Sequence, residues 1–281
     1  MIADFHNDYL VDTNRYKIIN NYVNSDNLIV SAIFRGRRDF LFAKYLCKIF
    51  SEALNERAKL KKPKNLFLAF EDFGYECDMV LLRQGLLSRN PCYVGLTWNG
   101  ENNLAFGCGA SGRIKPRGTA LIKELNKRKI AVDTAHLSKR SFYDVIDLAQ
   151  SVVCSHTCFY DVNRHERNID FHQIKQIVER GGLVGLTLYT PFLTEKGYST
   201  VEDVYKHVDY FANHFGVDYL AIGTDFYGCD NLPKGFKDYS FEYLLTDFLL
   251  SKGYNASDVN KILYGNLKAF LVGNKNRQTR I

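Results

Sequence analysis

Residues 130–156 read IAVDTAHLSKRSFYDVIDLAQSVVCSH, beginning at Ile130 and ending at His156. The apolar run at 130–134 predicts a strand, and Ser138 is a good N-cap for the amphipathic stretch after it. A second apolar run at 152–155 predicts the next strand. Strand, helix and strand in so short a stretch make one β–α–β unit, and each strand runs into a histidine, His136 or His156. Working outward, the pattern recurs. Apolar runs at 2–5, 28–34, 66–70, 93–98, 183–189 and 219–223 add six candidate strands. Helical patterns at 40–60, 79–87, 118–128, 170–180, 201–215, 241–251 and 256–271 lie between or after them. Continuous Val/Ile/Leu runs between helices describe parallel strands buried on both faces. Eight of them in 281 residues predict an α/β fold, a (β/α)8 TIM barrel, which routinely uses ~250 residues as one domain. With no repeat period and no Pro/Gly/Ser linker, residues 1–281 are expected to form a single domain. A dinucleotide-binding open sheet is excluded at the first strand, where Asp4-Phe5-His6-Asn7-Asp8 has none of the glycines of a phosphate turn.

Composition narrows the function classes. A hydrophobic fraction of 46% with 14% aromatic residues excludes a disordered chain. Lys and Arg number 37 against 31 Asp and Glu, and this +6 is spread along the chain, so nucleic acid is not an expected partner. No segment approaches the ~20 consecutive apolar residues of a membrane span. Met1-Ile2-Ala3-Asp4-Phe5-His6 has neither the basic nor the apolar region of a signal peptide. Seven cysteines without paired C-x-x-C spacing read as reduced thiols. The expectation is a cytoplasmic protein with no membrane partner.

Chemistry gathers where the strands end. His6 and Asp8 follow the first apolar run, Glu71 the third, His136 the fifth, His156 the sixth and Asp225 the eighth. Barrel active sites are built at the C-terminal ends of the strands. Three imidazoles and three carboxylates on that rim need a compensating partner, because such groups are costly to bury alone. One or two divalent metals supply it, zinc first for nitrogen with carboxylate oxygen. Each residue has a plainer reading. His6 could be a satisfied core histidine, Asp8 and Asp225 could be helix N-caps, Glu71-Asp72 a solvated loop, and His136 a cap on its own loop. These readings would have to hold separately at the same end of five strands, which favours a shared site. His172, His207 and His214 fall in helical patterns and are expected on solvated faces. His165 could face either the site or solvent.

Five motifs then resemble a known family. They are Asp4-Phe5-His6-Asn7-Asp8, Val132-Asp133-Thr134-Ala135-His136-Leu137-Ser138, Ser155-His156-Thr157, His165-Glu166-Arg167-Asn168 and Gly223-Thr224-Asp225-Phe226. In this order, with Gly181-Gly182-Leu183-Val184-Gly185 before a tyrosine, they are similar to the renal (membrane) dipeptidase family of metallopeptidases. The resemblance implies a binuclear zinc barrel that hydrolyses dipeptides through a metal-bridging hydroxide, homodimeric like its relatives. It implies that His6 and Asp8 hold one metal, that His136 and His156 hold the other, and that Glu71 bridges both. By the same resemblance Asp225 is the acid/base, Arg167 receives the substrate's terminal carboxylate, and Tyr189 lines the pocket. One departure stands out. Where the family has a substrate-binding histidine after Leu-Thr, this chain reads Gly95-Leu96-Thr97-Trp98-Asn99-Gly100, with Trp98 in its place. An indole donates one hydrogen bond and cannot carry charge. Tyr227 likewise stands where many relatives have an aspartate. An alternative therefore keeps the metals and changes the substrate to another small amide or a lactam. A barrel that binds metal without catalysis is a third reading, which the intact ligand set argues against.

Overall fold

The computed structural model describes residues 1–9, 26–33, 65–74, 85 and 87–278. Eight strands close into a parallel barrel in chain order: β1 (Ala3–Asn7), β2 (Leu28–Ile33), β3 (Leu66–Phe70), β4 (Tyr93–Gly95), β5 (Ala131–Asp133), β6 (Val152–Thr157), β7 (Val184–Leu186) and β8 (Leu220–Ile222). β1 pairs with β8 through Asp4 and Ile222, which closes the ring. The described helices are α1 (Pro116–Arg128), α2 (Lys139–Leu148), α3 (Phe171–Val178), α4 (Thr190–Leu193), α5 (Val201–Phe215), α6 (Phe241–Ser251), α7 (Ala256–Asn260) and α8 (Asn266–Gln278). The helix expected at 40–60 and all of 79–87 except 85 and 87 lie outside the described residues, as do Phe34, Cys47 and Cys77.

Local chemistry explains the better-defined ends. Ser138 caps α2 by accepting from Ser141 N at 3.3 Å. Asp170 and Gln173 form a reciprocal capping box at the start of α3. The strands expected at 93–98 and 183–189 end sooner, at Gly95 and Leu186, because the ladders run out. Gly95 pairs with Asp133, the last residue of β5, and Leu186 with Ile222, the last of β8. Beyond those points the chain leaves the sheet and is free to build the rim. The helix expected at 256–271 is interrupted by a π-turn at Lys261–Gly265 and then continues as α8. Asn266, just past that turn, donates from Nδ2 to Val217 O (2.6 Å) and Leu220 O (2.7 Å), tying the end of the chain to the start of β8.

Two apolar clusters surround the sheet. Within one, small residues (Ala3, Ala32, Ala69, Ala131, Ala221) leave room for Phe5 and Tyr93, whose rings meet edge to face at 5.5 Å. The larger cluster includes Ile2, Ile29, Leu66, Val132, Val152, Val184 and Ile222 from the strands, together with helix residues such as Phe142, Ile174 and Phe211. Full burial of both strand faces is what the continuous apolar runs encode.

Candidate metal centre and substrate cleft

Six of the residues singled out in sequence converge on one point. His6 Nε2 lies 3.5 Å from Glu71 Oε2, 3.6 Å from Asp8 Oδ1 and 3.8 Å from Asp225 Oδ1. On the other side of Glu71, Oε1 is 2.7 Å from His136 Nε2 and 4.0 Å from His156 Nε2, and the two imidazole Nε2 atoms are 2.9 Å apart. The donors fall into the groups His6/Asp8/Glu71, Glu71/His136/His156 and His6/His156/Asp225. Glu71 and Asp72 are both buried, so the solvated-loop reading of that pair fails. Asp8 and Asp225 cap no described helix of the rim; Asp225 N instead donates to His6 O at 3.0 Å.

The backbone is bent to achieve this. The β1–β2 register shifts between Asp4 and Asn7, and the β6–β7 register between Cys154 and Thr157. A regular strand would send Ser155 and His156 to opposite faces. The irregularity lets both reach the centre. His136 (φ 66°) and Asp225 (φ 59°) sit in the left-handed region, which costs a non-glycine residue roughly 1–3 kcal/mol and persists where the surroundings over-determine it.

Each imidazole is held by its other nitrogen. His6 Nδ1 lies 2.8 Å from the Tyr93 hydroxyl, which itself donates to Phe5 O at 3.1 Å. The Nδ1–H therefore donates to Tyr93, and Nε2 is the ring atom that faces the carboxylates. His136 Nδ1 donates to Asn99 Oδ1 at 2.7 Å. His156 Nδ1 donates to Ser155 Oγ at 2.9 Å, and Ser155 donates onward to Asp133 Oδ2 at 2.6 Å. Asp4 works from beneath. It accepts from Thr224 N (2.9 Å), Thr224 Oγ1 (2.8 Å), Asn7 Nδ2 (3.0 Å) and the Tyr239 hydroxyl (2.5 Å), which locks the end of β8 to β1. Sequence reading gave Asn99, Tyr93, Asp133, Ser155 and Asp4 no role. The available signal was polarity inside an apolar run: Asp4, Asp133 and Ser155 each interrupt a strand that otherwise reads as core.

The charge of the cluster fits a cation. Burial raises the Glu71 carboxyl well above its usual range, with the His6 charge opposing and Asp8 and Asp225 reinforcing. Burial lifts Asp225 to about 7, partly offset by His6 and Arg167. His6 is raised to about 9: burial opposes its charge, but the carboxylates of Asp8, Glu71 and Asp225 outweigh that. At 3.6 Å the Asp8 contact is a charge contact and too long for a hydrogen bond. His136 and His156 are held well below their ordinary value, first by burial and then by nearby positive charge, so both are neutral and able to ligate. His6 Nε2 and Asp8 Oδ1 are buried without a hydrogen-bond partner. A methyl at Gly228 would come within 2.5 Å of Asp225 Oδ1 and 2.8 Å of Asp8 Oδ2, so only glycine leaves the space beside them open. Orphaned donors, neutral imidazoles and crowded carboxylates fit divalent metal.

Above the cluster lies a cleft of about 560 Å³ whose lining includes Trp98, Arg167, Tyr189, Phe192 and Asp225. Arg167 is 4% exposed, donates from Nη2 to His156 Nε2 at 2.7 Å, and stacks over the Phe192 ring at 5.7 Å. Tyr189 meets Phe192 edge to face at 4.8 Å. Trp98 is 44% exposed, with its ring 6.1 Å from that of His136. His165 lines the same cleft, and its Nδ1 accepts from Arg167 N at 3.1 Å. His172 and His214 are exposed, as expected. His207 is not: it is fully buried, accepting from Phe159 N (3.2 Å) and donating to Leu193 O (3.1 Å). It sits on the stripe of Val204, Val208 and Phe211, the buried face of α5.

Comparison with known proteins gives the fold its relatives. Among solved structures, a metallo peptidase from Rhodobacter sphaeroides liganded with a phosphinate mimic of the dipeptide L-Ala-D-Ala superposes with a TM-score of 0.79 at 20% identity, covering 96% of this chain and 98% of that one. The probable dipeptidase PvdM from Pseudomonas aeruginosa gives 0.73 at 16% identity, covering 90% and 86%. At these identities they establish a shared barrel. Among curated proteins, Dipeptidase tcpJ of Claviceps purpurea is 29% identical over 53% of this chain, and the uncharacterized dipeptidase C965.12 of Schizosaccharomyces pombe is 29% identical over 59%. The aligned stretches span only 36% and 42% of those relatives' lengths. The membrane dipeptidase family model (Peptidase family M19) matches residues 79–272. That match covers well over half of the chain, and the protein belongs to the membrane dipeptidase family.

Proposed function

We propose that the protein is a dipeptidase that hydrolyses the amide bond of dipeptides with two divalent cations, zinc first, in the cytoplasm and as a homodimer. Glu71 carries the reading: its two oxygens face separate donor sets, His6 with Asp8 and His136 with His156. In this reading His6, Asp8, Glu71, His136 and His156 hold the cations, with Glu71 between them. The bound pair supplies an activated water nucleophile at neutral pH and polarises the scissile carbonyl. Asp225, lifted to about 7, accepts a proton at its carboxylate and returns it to the departing amine nitrogen. Arg167 offers a planar fork to the substrate's C-terminal carboxylate, which favours short peptides over proteins. Its Nη2, now 2.7 Å from His156 Nε2, would turn from that lone pair to do so. Tyr189 and Phe192 form the wall behind it. The family membership and the dipeptide mimic held by the Rhodobacter relative support this substrate class.

The test is metal content per chain on protein purified without added metal, with dipeptide hydrolysis measured before and after chelation. About two ions with chelator-sensitive turnover is the expected result. A protein that takes up no metal after reconstitution would sink the reading. Trp98 favours a second reading, in which the same centre acts on another small amide or a lactam, because an indole stands at the cleft where relatives present a histidine. Two ions with lactam or conjugate turnover and no dipeptide turnover would select it.

A further inference from the structure

A second cavity, of about 600 Å³, adjoins the substrate cleft and shares Cys108, His136, Glu166 and Arg167 with it. It runs outward between the N-terminal ends of α2 and α3, and the metal chemistry described above makes no use of it. Its charge is distinctive. The lining carries Lys139, Arg140 and Arg167 against Glu166 and Asp170. Lys139 is balanced by Asp170 at 2.6 Å. Arg140 makes no hydrogen bond or ion pair among the described residues. Both Lys139 and Arg140 occupy the first turn of α2, which contains no acid. That is the reverse of what a helix dipole prefers, since the N-terminal end already presents partial positive charge. The arrangement calls for an anion.

One buried group points the same way. Arg167 Nε, an N–H donor, has no hydrogen-bond partner, and Arg167 is more than nine-tenths buried and lines this cavity. Leu137 and Ala110 supply an apolar stretch of wall between Arg167 and the α2 end. Because Arg167 lines both cavities, a substrate that sets its terminal carboxylate there can send the side chain of its last residue into the second one. A methylene stem along Leu137 and a terminal carboxylate toward Arg140 match this wall.

We infer that the second cavity is a subsite for an acidic side chain on the substrate's C-terminal residue, and that Arg140 is the group that reads it. The inference rests on the dipeptidase reading. Its test compares metal-loaded enzyme on Ala-Ala, Ala-Glu and the isosteric Ala-Gln, each with L and D second residues. kcat/KM for the better Ala-Glu isomer is expected to exceed that for the matching Ala-Gln by about fivefold, the upper range for a partly exposed ion pair. Arg140→Ala should bring the ratio near one, Arg140→Lys should keep part of it, and Arg140→Glu should invert it. Arg140 is exposed, so the melting temperatures of these variants should match the parent's. Turnover of Ala-Ala with equal rates on Ala-Glu and Ala-Gln overturns the subsite and leaves the dipeptidase reading standing. No turnover of any dipeptide by protein carrying its metal overturns both.

Discussion

Glu71 can face two donor sets because β3 ends one residue before it, at Phe70, and its side chain is buried on the rim between β1 and β5. Replacing it by glutamine keeps the volume and removes both the charge and one ligating oxygen. Glu71→Gln is therefore expected to lower metal content from two ions per chain towards one or none, read by elemental analysis of purified protein. Two ions retained at full occupancy would contradict bridging. Asp225 differs in kind. It stands 3.8 Å from His6 and in the left-handed backbone region, held by its own N–H to His6 O. With a proton-transfer role, Asp225→Asn should keep the metal and lower kcat by roughly 10²–10⁴. Loss of metal in that variant would recast Asp225 as a ligand, a role that its place in the His6/His156/Asp225 group allows.

Two elements hold the site's imidazoles and its surrounding chain in place. The segment after β4 folds back on itself through the Glu101–Phe106 bridge and through Gly107 N to Gly100 O at 2.9 Å, then docks on β5's rim through Cys108 N to His136 O at 2.7 Å. Its purpose in the site is Asn99, the acceptor for His136 Nδ1. Asn99→Leu removes that acceptor at similar volume, and metal affinity in a chelator competition should fall by roughly 10–100-fold; unchanged affinity would make the segment a passive wall. Helix α5 contributes His207, which links the chain after β6 to the end of α4. Burial holds its pKa down to about 4. A depressed histidine stays neutral in the native state while the unfolded chain takes up a proton below 6.5, so stability is present above that value and is lost as pH falls towards 4. At pH 5 the loss is about 2 kcal/mol, and urea denaturation at pH 7 and 5 should show a smaller drop in His207→Gln. The eight strands and the six rim residues were legible because each polar group directly follows an apolar run. Polarity inside an apolar run marked Ser155 and Asp133, but their role was not legible, because strand alternation sends Ser155 and His156 to opposite faces unless the register slips, and Asp133 enters through Ser155. His207 was misread as solvated although Val204, Val208 and Phe211 already placed it on the buried stripe.

Across the whole molecule, barrel closure brings three carboxylates and three imidazoles from five strands into one buried volume, and protons and metal compete for it. Without a cation, Asp225 is raised to about 7 and Glu71 well above its usual range, so the native state holds protons that the unfolded chain has released. The metal-free protein therefore loses stability at these groups as pH climbs from the ordinary carboxylate range through about 7. Metal reverses the sign. Ligands must give up their protons to bind, so affinity rises over the same interval, by up to tenfold per pH unit for each proton displaced. Binding only to the folded barrel adds stability in proportion to ln(1 + [L]/Kd). Zinc titrated into chelator-stripped protein should then bind at least tenfold more tightly at pH 8 than at pH 6, with a larger rise in Tm at pH 8. His6, raised to about 9, remains protonated at both values in the metal-free state and adds to the slope. An affinity that stays flat between pH 6 and 8 would mean that the metal displaces none of these protons and binds outside the His6–Glu71–Asp225 cluster.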